Sequence, residues 1–125
     1  MNNEMDDFSS KPGFPNAYGL VGSEANKIEP KKTPLSSMTP VIIFKQGRPF
    51  LVSGSPGGST IITSVLQEVL NVLDFNMSLK ESSSKSRIHF QHLPDILFHE
   101  ELDKDVLASL IAVSYTHLTL PTTVF

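Results

Sequence analysis

The residue pattern predicts an α+β fold. Three observations carry it: β-branched and aromatic residues flank a Gln46-Gly47 turn, a glycine-rich loop follows at 54–59, and apolar residues then recur at helical spacing.

Residues 1–40 are rich in Asn, Asp, Ser, Lys, Gly and Pro, and Pro12, Pro15, Pro30, Pro34 and Pro40 block any long helix or central strand. This segment reads as extended loop, and loops of such length are either functional or disordered. Residues 41–45 are β-branched and aromatic, and residues 50–53 resume an apolar run after the turn, which predicts a hairpin. Beyond the glycine loop, Ile62, Leu66, Val69 and Leu73 fall on one helical face, with Thr63, Gln67 and Asn71 on the other. A helix over 60–75 follows, with Ser59 as its N-cap because a hydroxyl there can accept from the first-turn amides. Residues 78–86 hold five serines and two lysines, which favours a loop or a frayed short helix. Residues 87–93 alternate in character and read as a strand leading into Pro94. Val106, Leu107 and Leu110 predict a short helix over 103–111, with Asp103 as its cap.

The chain has 125 residues and 39% hydrophobic content, enough for one modest domain with weak independent stability. Ten Lys and Arg against thirteen Asp and Glu leave a net charge of -3 and no basic stripe, so nucleic acid is not expected as a partner. With no cysteine, disulfides, thiolate metal sites and a Cys nucleophile are excluded. Residues 1–10 are acidic and polar, unlike a secretory signal, and no signal peptide is expected in this chain. Residues 106–125 carry no formal charge, yet Ser, Thr, His117 and Pro121 interrupt them too often for a membrane span.

The glycine loop is the most informative local feature, because free amides at a helix start favour negative charge and glycines let a ligand approach. Three readings stay open at this point. A nucleotide site would need the Lys-Ser/Thr pair of a Walker loop, which is missing. An oxyanion hole would use the amides around Gly57 and Gly58. A plain turn would only pack a helix on a strand. Glu4, Asp6 and Asp7 form an acidic cluster suited to an ammonium group, or else a solvated run. Ser36 and Ser37 offer two hydroxyls to a carboxylate, or else a turn. His89 and His92 lie in an extended stretch with no thiolate partner, so no metal site is expected. Ser55 does not sit in a nucleophile-elbow pattern.

Four stretches taken in order resemble the small subunit of gamma-glutamyltransferases: Asn2-Asn3-Glu4-Met5-Asp6-Asp7-Phe8, Pro15-Asn16-Ala17-Tyr18-Gly19-Leu20-Val21-Gly22, Pro34-Leu35-Ser36-Ser37-Met38-Thr39-Pro40 and Gly54-Ser55-Pro56-Gly57-Gly58-Ser59. The stretch Arg87-Ile88-His89-Phe90-Gln91-His92-Leu93-Pro94-Asp95 continues the likeness. The resemblance implies an amino-terminal nucleophile (Ntn) hydrolase, an αββα sandwich made when a precursor cleaves itself into large and small subunits. It further implies transfer of the gamma-glutamyl group of glutathione and other gamma-glutamyl compounds to water or an amine acceptor, through an acyl-threonine intermediate. No metal or organic cofactor is implied. Carried over by motif, Glu4 and Asp7 would hold the glutamyl α-amino group, Ser36 and Ser37 its α-carboxylate, and Gly57 and Gly58 would form the oxyanion hole.

The chain departs from the family pattern in several places. The catalytic threonine and the large subunit with its carboxylate-binding arginine are not in it, so the isolated chain is expected to be inactive. Thr60 stands where the family usually has arginine, and residues 78–86 are richer in serine than the family helix. Family-like sequence is expected over residues 1–112, with loops at 1–40 and the hairpin and helices at 41–112. Residues 113–125 form a non-family tail that resembles translated adaptor sequence. Periplasmic or extracellular placement is what the resemblance implies. The alternative reading is a non-catalytic, degenerate fragment acting as a weak binding or interaction module.

Overall fold

The computed structural model describes residues 4–92, 95–113 and 118–119, and the chain divides into two compact units, Met1–Ser37 and Met38–Phe125.

The first unit is loop held together by side chains and single bridges, as its prolines require. Short 3-10 helices occupy Glu4–Asp7 and Glu24–Asn26, and isolated bridges join Ser9 to Lys27 and Pro15 to Val21. The Asn16 carboxamide oxygen accepts from the amides of Tyr18 and Leu20, at 2.9 and 3.0 Å, and so makes the 15–21 turn without a regular ladder. Two segments cross at Gly22, where a Cβ would lie 1.9 Å from Ser9 Oγ. Only glycine permits that approach.

In the second unit, strands β1 (Val41–Lys45) and β2 (Arg48–Ser53) pair antiparallel. The hairpin is as predicted. Gln46 and Gly47 both take positive φ, 53° and 76°, the handed turn that suits the strands' twist. The register shifts between Ile43 and Phe44, beside Pro49, which has no amide to give the ladder. Leu51 and Ser53 are buried on one face of the hairpin, whereas Ile42, Phe44 and Val52 are exposed on the other.

Helix α1 (Thr60–Leu73) packs on β2 and stops two residues before the predicted end. Asp74 and Phe75 both donate to the Leu70 carbonyl, Met77 donates to that of Asn71, and Asn76 adopts positive φ, so the chain turns off through a left-handed asparagine. The predicted inner face also needs correction. Ile61, Ser64 and Val65 are buried, while Ile62 and Leu66 are 52% and 53% exposed. The buried side includes the polar Ser64, and at its rim the half-buried Gln67 pairs with both backbone groups of Ile88, accepting from its amide at 3.0 Å and donating to its carbonyl at 2.8 Å.

The serine-rich run forms helix α2 (Leu79–Ser84), started by a capping box in which Ser78 and Glu81 bond each other's backbone amides. Its serines dock on one residue of α1. Ser82 Oγ donates to the Glu68 carbonyl and Ser83 Oγ to its carboxylate, while Ser53 of β2 takes the other carboxylate oxygen. Strand β3 (Ile88–His89) is shorter than the predicted strand, and Leu93 and Pro94 lie outside the described residues. It pairs antiparallel with β4 (Leu97–His99), itself parallel to β5 (Leu118–Thr119). Helix α3 (Lys104–Ala112) follows Asp103, which occupies the cap position but makes no side-chain cap bond. Of the predicted tail, residues 114–117 and 120–125 lie outside the described residues. No helix among the described residues is long and apolar enough to cross a membrane.

Candidate functional site

In the first unit the acidic cluster sits on the 3-10 turn Glu4–Asp7, with Asp6 and Asp7 half-buried; the side chain of Glu4 lies outside the described residues. Asn26 fixes this turn. Its Nδ2 donates to the Asp7 carbonyl at 2.7 Å, its own carbonyl accepts from the Ser9 amide at 2.9 Å, and its Oδ1 accepts from the Leu35 amide at 3.3 Å. One carboxamide therefore ties Asp7 to the residue immediately before Ser36 and Ser37. Those two serines extend without regular structure, Ser36 exposed and Ser37 half-buried. Sequence reasoning passed over Asn26, because a side chain that bridges backbone across 19 residues leaves no periodic mark. The nearest available sign was its place between charged residues in a loop otherwise short of order.

In the second unit the loop from β2 to α1 brings Gly57 and Gly58 to the helix start, both at positive φ, 128° and 57°. The amides of Thr60 and Ile61 are taken up by the carbonyls of Gly57 and Gly58, at 3.1 and 3.2 Å. Among the described residues, none accepts from the amides of Gly57 or Gly58 themselves. Both amides stand at the positive end of the α1 dipole, where they favour an anionic oxygen. Ser59, predicted as a side-chain cap, has helical dihedrals and makes no cap bond; its hydroxyl donates instead to Gln91 Oε1 at 2.9 Å.

His89 is buried at 4% exposure, with Nδ1 2.8 Å from Thr63 Oγ1 and Nε2 2.9 Å from Gln91 Oε1. His92 is exposed at positive φ. Among the described residues no three His, Asp or Glu side chains are arranged to hold a metal ion.

The gamma-glutamyltranspeptidase family model matches residues 1–123. The chain belongs to this family. It is 57% identical over 97 residues to the glutathione hydrolase proenzyme of Escherichia coli K12, covering 78% of the chain and 17% of that relative. With the glutathione hydrolase proenzyme of Pseudomonas aeruginosa it shares 47% identity over 120 residues, covering 93% of the chain and 22% of the relative. The chain thus spans 17% and 22% of the length of these curated relatives. A mutant of the Helicobacter pylori gamma-glutamyltranspeptidase superposes with TM-score 0.88 at 53% identity, covering 97% of this chain and 66% of the other. The Bacillus anthracis transpeptidase CapD shares the fold at 19% identity, TM-score 0.64.

Proposed function

We propose that this chain is part of a gamma-glutamyl acyltransferase and glutathione hydrolase of the Ntn class, completed by a threonine-led strand and a large subunit from the same precursor. The observation that carries the proposal is the Gly57-Gly58 pair, whose amides are unused within the described chain at the start of α1. In this reading the threonine hydroxyl attacks the γ-carbonyl and the threonine amine takes its proton. The carbonyl oxygen, now negative, is held by the Gly57 and Gly58 amides. Collapse of this adduct breaks the amide bond, and the departing amine carries the proton away. Water or an acceptor amine then releases the glutamyl group from the acyl-threonine.

Glu4 and Asp7 supply the negative charge for the glutamyl ammonium, and Ser36 and Ser37 the donors for its carboxylate. The chemistry asks for no cofactor. An αββα sandwich is supported by a hairpin that has a helix on one face and bare apolar side chains on the other. The substrate would be met in the periplasm or outside the cell.

In the completed, autoprocessed enzyme, Gly58→Val places a β-branched residue at positive φ and misdirects the amide; acylation should slow by about two to three orders of magnitude. Asp7→Ala should raise the donor KM with a smaller effect on kcat. Unchanged kinetics in either variant would remove that residue from its role. The isolated chain should release nothing from a gamma-glutamyl anilide, and release would overturn its dependence on the threonine. Authentic stop codons bracketing the reading frame would favour the non-catalytic fragment instead.

A further inference from the structure

The oxyanion reading leaves unexplained what aims the Gly58 amide, since two consecutive glycines at positive φ have no side chains to hold them. Two anchors lie on either side of the pair. Thr60 binds the Gly57 carbonyl twice, through its amide at 3.1 Å and its hydroxyl at 2.8 Å. A trans peptide is planar, so fixing the Gly57 carbonyl also fixes the Gly58 N–H, which points the opposite way. The second anchor is Ser59, whose hydroxyl donates to Gln91 Oε1.

Gln91 is itself held by the buried His89. Its carboxamide oxygen only accepts, so His89 presents a protonated Nε2 to it at 2.9 Å, while Nδ1 lies 2.8 Å from the Thr63 hydroxyl, which also bonds the Thr60 carbonyl at 3.0 Å. Thr63 lies one turn along α1 from Thr60, so the chain of bonds returns to the helix it started from. Phe98 of β4 stacks on the imidazole at 6.3 Å between ring centroids. A histidine 4% exposed, with both ring nitrogens engaged and one route leading to the glycine loop, is more than core filling.

We infer that Thr60 and the Ser59–Gln91–His89–Thr63 chain form a polar clamp that holds the Gly57–Gly58 peptide in the direction catalysis needs. These are positioning residues: none touches substrate. The inference rests on the oxyanion role proposed above.

The test uses the completed, autoprocessed enzyme, with kcat expressed per titrated active site so that unfolded protein does not count. Thr60→Val removes the hydroxyl at nearly constant shape and should lower kcat about tenfold at unchanged donor KM, because small misalignments at the reacting centre are amplified in rate. Thr60→Ser should restore it. Gln91→Leu should act like Thr60→Val; if that variant does not fold, Ser59→Ala reports on the same link. Gly58→Val is the control. If it slows acylation while Thr60→Val and the Gln91 or Ser59 variant leave kcat per site unchanged, the clamp is overturned and the oxyanion hole stands. If Gly58→Val itself changes nothing, the oxyanion reading fails and the clamp falls with it.

Discussion

Asn26 does for the proposed glutamyl site what no acidic or hydroxyl residue in it can do: it joins the Asp7 turn to the strand of chain that carries Ser36 and Ser37. Each of its side-chain bonds is worth about 0.5–1.5 kcal/mol net, so losing both should displace the ammonium and carboxylate partners relative to each other. In the completed enzyme, Asn26→Ala is expected to raise the donor KM on the order of tenfold with kcat much less affected. Asn26→Asp keeps the acceptor for Leu35 but loses the donor to Asp7, and should sit no closer to wild type. A donor KM indistinguishable from wild type in the alanine variant would show that the two stretches hold their places without it. The acid cluster, hydroxyl pair and glycine pair assigned to substrate in this reading were visible in the sequence as candidates beside a solvated run and plain turns, and the family resemblance gave them their roles. Asn26, Thr60 and Gln91 were not visible in this way, because they act on backbone or on other side chains from positions distant in sequence or unremarkable in type.

At the scale of elements, the hairpin and α1 were readable because their cause is local: a Gln-Gly turn between apolar runs, and apolar residues at intervals of three and four. The side of α1 that turns inward was not readable, since a polar residue, Ser64, is buried there beside Ile61 and Val65, and Gln67 at the rim meets the backbone of Ile88. Strand β4 escaped notice because three residues set no period. Helix α2 is the element whose existence depends most on chemistry at its start. The Ser78 hydroxyl and amide both bond the Glu81 carboxylate and hold its pKa below the usual glutamate value. A carboxyl depressed in the folded state contributes stability above its unfolded value, about 4.3, and that contribution is lost as pH falls through the folded value. Amide protection in α2, corrected for intrinsic exchange and compared with α1, is therefore expected to hold at pH 6 and decline below about pH 4.3. Glu81→Gln should abolish the pH dependence, and Ser78→Ala should cost about 1 kcal/mol of local helix stability. Equal acid sensitivity in α1 and α2 would show that the box does not govern the helix.

The exposed apolar surface makes its argument at the scale of the molecule. Among the described residues of the second unit, Leu51, Ile61, Val65 and Leu97 are the buried apolar side chains, a small core for the elements that surround it. Against it stand Ile42, Phe44 and Val52, at 59%, 61% and 70% exposure, all on the hairpin face turned away from the buried Leu51 and Ser53. Full burial of a side chain of this kind is worth about 1.5–3 kcal/mol, and a contiguous bare patch on a sheet favours association. In the sandwich proposed here a second layer would cover that face. The isolated chain at micromolar concentration should then bind an apolar dye and sediment as an associated species, and Phe44→Lys with Val52→Lys should shift it to monomer. In the completed enzyme the same two lysines should instead destabilise the folded state, by about 2 kcal/mol each. A completed enzyme that accepts both lysines without loss of stability would mean that this face meets water in the assembled protein, and the sandwich reading of the hairpin would fail with it.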